Sequence, residues 1–158
     1  MASSFGVHHE WGKLSEVVIG ISPAEDFVVF YEDSQRWLVP PGDAFSRNHA
    51  GRRLIDIDAE RAGRIERQVD ALADRVAREG VTVHRPQRLE GDERTFLAPN
   101  GEGAQLFARD GMIVIADHVI DCSLRLKCRQ RERYGLRPII QQAVQQRGAR
   151  WSSVPLGS

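Results

Sequence analysis

Four places in this chain carry residue types that could do chemistry. Asp110 follows Arg109 and stands directly ahead of the apolar run MIVIA, residues 112–116. A carboxylate at a strand end can be presented to a channel while the apolar residues behind it anchor the backbone. An exposed turn aspartate, paired with a nearby arginine, gives the same local sequence. Arg129 lies nineteen residues after Asp110 and three before Glu132. Its planar fork suits bidentate recognition of a carboxylate, and Glu132 is spaced to orient it. The competing reading is a solvated face, because 125–133 is a charge run holding Arg125, Lys127, Arg129, Arg131, Glu132 and Arg133. Cys122 and Cys128 are the two thiols. Lys127 and Arg129 flank Cys128 and would favour its thiolate, but neither cysteine sits in a Gly-rich turn, and five intervening residues match neither a tight redox pair nor zinc-ligand spacing. His8, His9 and Glu10 adjoin, yet neighbouring residues on an extended segment point to opposite sides, so no metal site is expected.

The elements that must position these residues follow from periodicity. Leu14–Ile21 is a short β-branched run bounded by Gly20 and Pro23, which predicts a buried strand. A long irregular stretch with Trp37, Pro40, Pro41, Gly42 and Gly51 follows. Ala62, Ile65, Val69, Leu72 and Val76 then recur three and four apart, which predicts a helix capped at Asp58 and stopped by Gly80. Val81–His84 is the next strand, and 87–104 reads as loop. Residues 112–121 predict two strands around a tight turn at Asp117 and His118. Pro138 is placed as a first helical residue, with Ile139, Ile140, Ala143 and Val144 on the inner face, Gly148 as the stop and 149–154 as the last strand. Both halves share one grammar, and REGVTVHRP and QRGARWSSVP are its most similar pieces. The expected fold is α/β: tandem β-β-α-β units, about 9–86 and 105–155 of a single 1–158 domain, with helices covering one side of the strands.

Composition removes several function classes. Lys+Arg and Asp+Glu are 22 each, so there is no broad electrostatic footprint for nucleic acid or an anionic membrane. Trp11, Trp37 and Trp151 are scattered instead of interleaved with a basic stripe, so base stacking is not supported. The longest apolar runs are only a few residues, and MASSFGVHHE has neither a basic start nor an apolar h-region, so a cytoplasmic location is expected.

Four stretches, in order, resemble the amidinotransferase family. HEWGKLSEVVIG (9–20) is similar to its opening strand, GVTVHRP (80–86) to its Gly-Val-Thr-Val-x-Arg-Pro strand, FARDGMIVIADHVID (107–121) to its Arg-Asp strand and hairpin, and RGARWSSVP (147–155) to its Arg-Gly-Ala-x-Trp strand. The resemblance implies the pentein architecture, a ring of five β-β-α-β units around a central channel, of which this chain would supply the first two as a partial α/β propeller. It implies a reaction in which arginine gives its amidino group to a cysteine and leaves as ornithine, and an amine such as glycine then takes the group. It also implies that Asp110 contacts the substrate guanidinium and, by the pattern of the related arginine deiminases, that Arg129 grips the substrate carboxylate.

The family's nucleophilic cysteine, Phe-Asp and His-x-Asp elements have no counterpart in these 158 residues. No catalytic residue is therefore expected within them, and the chain alone is expected to be inactive, with no cofactor required. Two other readings stand beside this one. The first is arginine deiminase-like hydrolysis of the guanidine. The second is a non-catalytic half-domain that binds arginine-like ligands or forms a homo-oligomer through open strand edges.

Overall fold

The computed structural model describes residues 5–9, 11–31, 42–95, 105–126 and 129–155. Two small sheets organise it. In the first half β1 (Glu16–Val18) and β2 (Thr82–His84) run parallel, with Val17 opposite Val83. Between them the chain forms α1 (Gly42–His49), α2 (Leu54–Ile57) and the long α3 (Ala59–Arg78). In the second half β3 (Met112–Ile115) and β4 (His118–Asp121) form an antiparallel hairpin. The chain then climbs α6 (Glu132–Arg147) and returns as β5 (Arg150–Ser153), parallel to β4. The second half is thus a β-β-α-β unit. Among the described residues the first half is β-α-β, with a single antiparallel bridge at Val28 and Arg53 where a further strand was expected.

Local sequence accounts for most of these boundaries. Asp58 accepts a hydrogen bond from the Arg61 amide and caps α3, and Gly80 takes a left-handed φ of 80° just past its end. Ala62 and Ala73 are the buried residues of α3, with Ile65 packed beside Ala62, whereas Leu72, expected on the same stripe, is exposed. Gly148 ends α6 in the left-handed conformation and sends its successor back toward the sheet. The hairpin turn falls at Ala116, whose φ is 50°, one residue earlier than expected.

Three expectations are corrected. The irregular stretch holds α1 and α2, and the loop at 87–104 contains the short α4 (Gly91–Thr95). Pro138 lies inside α6 instead of opening it. Proline cannot donate to the Tyr134 carbonyl one turn back, a cost that would normally mark a helix start. Here the helix begins six residues earlier because the charged segment ahead of Pro138 finds partners in the interior.

Two apolar cores result. Val119, Ile140, Ala143 and Ala149 hold α6 against the three-stranded sheet, with Met112, Val114 and Trp151 around them. Val29, Leu54 and Ala62 form the other core beneath α2 and α3. The outer face of the hairpin carries Ile113 and Ile115, both exposed, so helices cover one side of this sheet.

The halves are stitched at the segment 105–106. The Ile21 amide donates to the Gln105 carbonyl at 2.9 Å, and the Gln105 side chain donates to the Gln87 carbonyl at 2.9 Å. Gly20 is required at this crossing, because a Cβ there would lie 2.1 Å from the Leu106 carbonyl oxygen. Glu16 of β1 adds an ionic tie, bonded at once to His84 of β2 and Arg147 of α6. Among the described residues no helix is long and apolar enough to cross a membrane.

Candidate functional site

Asp110 does not open a strand. It lies in α5 (Ala108–Gly111), a single helical turn directly ahead of β3. Ala108 and Gly111, three apart, are the buried residues of that turn, which leaves Arg109 and Asp110 on its outer side. Gly111 allows the close seat on α6, since a Cβ there would meet Leu136 at 3.1 Å. The Asp110 side chain is 47% exposed.

Arg129 reaches it from the turn that leads into α6. Its Nη1 donates to Asp110 Oδ2 at 2.9 Å, while Nε and Nη2 fork onto the two carboxylate oxygens of Glu132, each at 2.9 Å. One guanidinium therefore spans two carboxylates, an exposed one and a buried one. The Phe107 ring sits over the same guanidinium at 5.3 Å. Asp110, Arg129 and Glu132 are thus brought together, although Asp110 lies nineteen residues before Arg129.

Electrostatics follow from burial. Removal from water pushes the Glu132 carboxyl above its ordinary value, and its bonds to Arg129 work against that rise. Burial likewise disfavours the charged form of Arg129, but Glu132 first and Asp110 second outweigh it, so the guanidinium holds its proton more tightly than usual. The charge on the fork is permanent across any ordinary pH.

Beside the cluster is a small, half-open concavity lined by Pro86, Gln105, Phe107, Ala108, Glu132 and Leu136. Glu132 lines this concavity and so links it to the Arg129 fork.

The solvated-face reading of the charge run holds for Arg125, which is exposed, and fails for its second half. Gln130, Arg131, Glu132 and Arg133 are all buried. Arg131 donates to the Arg94 carbonyl of α4. Arg133 donates through Nε to Asp121 Oδ1 at 2.6 Å and through Nη1 to the Val154 carbonyl at 2.9 Å, and the Ser153 hydroxyl donates to Asp121 Oδ2 at 3.0 Å. Asp121 and Arg133 were not among the residues picked out by type. Strand parity could have found Asp121, because it shares a face of β4 with the buried Val119.

Of the remaining candidates, Cys122 is partly buried just after β4 and directs its thiol at the Ile120 carbonyl, 3.6 Å away. Cys128 and Lys127 lie outside the described residues, as does Glu10. His8 and His9 are exposed. Among the described residues no three His, Cys, Asp or Glu side chains converge on a metal position.

The fold is similar to that of solved amidinotransferases, and the chain resembles amidinotransferases in sequence. No protein-family model matches it. Among curated proteins it is 28% identical over 167 aligned positions to a putative inosamine-phosphate amidinotransferase of Streptomyces griseus, covering 97% of this chain and 44% of the relative. It is 23% identical over 151 residues to the mitochondrial glycine amidinotransferase of Danio rerio, covering 94% of this chain and 35% of the relative. Among solved structures, an amidinotransferase of saxitoxin biosynthesis from Microseira wollei superposes with a TM-score of 0.72 at 18% identity, over 97% of this chain and 44% of the other. The inosamine-phosphate amidinotransferase from Streptomyces griseus superposes at 0.58 with 21% identity, over 96% and 43%. The chain therefore spans less than half the length of the relatives it matches.

Proposed function

We propose that this chain forms one wall of an amidinotransferase site, in which the amidino group of arginine passes to an amine. The observation that carries the reading is the convergence of Asp110, Arg129 and Glu132 beside a concavity. A guanidinium is flat, delocalised and rich in donors, so a site that holds it needs a carboxylate in its plane. Asp110 is the half-exposed carboxylate of this cluster, and Arg129 is the fixed cation that meets a ligand carboxylate.

The transfer itself needs a nucleophile. A thiolate attacks the central guanidinium carbon, the bond from that carbon to the side-chain nitrogen breaks, and ornithine leaves after that nitrogen takes a proton. The acceptor amine then attacks the amidino-cysteine, loses a proton and regenerates the thiolate. Cys122, turned toward its own strand, is not placed as that nucleophile. In this reading the thiol and its acid/base partners come from chain outside these 158 residues, and the two halves are the first units of a partial α/β propeller. The relatives' names point to glycine and an inosamine phosphate as acceptor classes.

The test supplies guanidino-labelled arginine to the protein purified from its own source, with and without glycine or an aminocyclitol phosphate. Transfer predicts ornithine in step with label on the amine, and loss of both in Asp110→Asn. Citrulline formed without any amine refutes transfer and favours hydrolysis.

A further inference from the structure

Asp110 is already occupied by a guanidinium. Among the described residues the one side chain hydrogen-bonded to it is Arg129, through Nη1 at 2.9 Å. That arm is separable from the rest of the contact. Arg129 is anchored by Nε and Nη2 to Glu132, a carboxylate that is itself buried, whereas the Nη1 bond reaches out to a carboxylate about half exposed. The anchored pair is in low dielectric and has little access to water. The outer bond is open to competition from any planar cation in solution.

We infer that the Asp110–Arg129 bridge is an internal stand-in for the ligand: Arg129 Nη1 closes the guanidinium seat when it is empty, and an entering guanidinium displaces that arm while the Glu132 fork stays made. This rests on the reading of Asp110 as the guanidinium seat. A ligand guanidinium lying in the carboxylate plane takes both oxygens of Asp110, including the Oδ2 that Arg129 now holds. The displaced Nη1, kept in place by the fork, becomes the donor for a carboxylate elsewhere on the same ligand. A ligand with a guanidinium alone must break the internal bond and endure the nearby positive charge. A ligand carrying both groups recovers that loss. The bridge thus selects amino-acid guanidines over simple ones.

The consequence runs against the usual effect of removing a site residue. Weakening the Arg129 arm should tighten the binding of a carboxylate-free guanidinium. Calorimetric titration of methylguanidinium, with N-methylurea as the uncharged control, tests it on the 158-residue chain. Arg129→Lys keeps a cation for buried Glu132 but cannot span both carboxylates, and the pair R129M/E132Q removes the buried charges together. Both are expected to bind methylguanidinium about threefold or more tighter than the wild type, the scale of one partly exposed ion pair. Equal or weaker binding in a variant that retains the native circular dichroism spectrum overturns the inference. Arginine side-chain NMR of the wild type gives the same answer without a variant. Titration should shift the Arg129 Nη1 signal and leave Nε unmoved, and binding with no Nη1 change overturns the displacement. Asp110→Asn separates the two layers. If it binds methylguanidinium as well as the wild type does, or if no form binds it, the seat itself is elsewhere and both fall. If Asp110→Asn alone loses binding while the Arg129 variants show no gain, the seat stands and the stand-in falls.

Discussion

Asp121→Asn should be the most damaging single-atom change in the second half. Asp121 has no exposed surface and Arg133 is 2% exposed. The pair is joined at 2.6 Å, and the Asp121 carboxylate also accepts from Ser153 and lies 3.6 Å from Arg137 Nε. Replacing the carboxylate by an amide keeps the shape and removes the charge, which leaves the Arg133 guanidinium buried without its counter-ion. Breaking a buried pair from one side costs roughly 3–5 kcal/mol. The isosteric amide still accepts one hydrogen bond, so about 3 kcal/mol is expected. That is a large share of the 5–15 kcal/mol that holds an ordinary domain, and about 6–12 °C in midpoint. Urea unfolding followed by circular dichroism measures it. Replacing both charges, D121N/R133M, should recover more than half of the loss, because no lone buried charge remains. A loss below about 1 kcal/mol, or a double variant no better than the worse single one, would refute the claim that this pair is a coupled buried unit. Arg133 follows Glu132 directly in the first turn of α6, so the same variant should loosen the fork on Arg129.

The tie between β1, β2 and α6 has a pH signature. The Arg147 hydrogen bond, helped by His84 and opposed by burial, holds the Glu16 carboxyl below its ordinary value of 4.5. A carboxyl depressed in the folded state lends stability that is complete above its ordinary value and is lost as pH falls through the lower folded value. Glu16→Gln should therefore flatten the acid limb of the stability curve below about pH 4.5, and an unchanged acid limb would show the tie to be inert. Gly20→Ala should cost about 2–3 kcal/mol in urea unfolding, since its Cβ would strike the backbone carbonyls of Leu106 and Gln105 at 2.1 and 2.4 Å. A neutral outcome there would mean that the two halves are not stitched at this crossing.

How much of this was legible depends on where each residue's partners lie. The α3 cap at Asp58, the stops at Gly80 and Gly148 and the hairpin at 112–121 are local patterns, readable because the residues that satisfy them are within a few positions. Asp110, Arg129 and Glu132 could be named only through the family resemblance, since type and spacing alone equally fit a turn aspartate and a solvated charge run, and their contact depends on Gly111 seating α5 on α6, a tertiary fact. The start of α6 was misread for a related reason. A run of charged residues looks solvated unless its charges have partners elsewhere, and here Arg131 finds the Arg94 carbonyl and Arg133 finds Asp121, while Glu132 pairs with Arg129 three residues away.

That burial explains why charges stand where apolar residues would pack more cheaply. A guanidinium left in water could adopt many orientations, and on the proposed reading the fork must hold one to meet a ligand. Fixing Arg129 requires a carboxylate that does not itself move, and Glu132 is immobilised because the helix turn bearing it is pinned on either side by Arg131 and Arg133. Each of those pins ends in a different element: α4 for Arg131, and β4 and β5 for Arg133. The rigid end of the network therefore reaches from the second half into the connection between the halves, and its free end is the single bond from Nη1 to Asp110. Rigidity behind and exchangeability in front are what an ion-recognising wall requires, and substitutions behind the fork should alter ligand selectivity while touching no ligand atom.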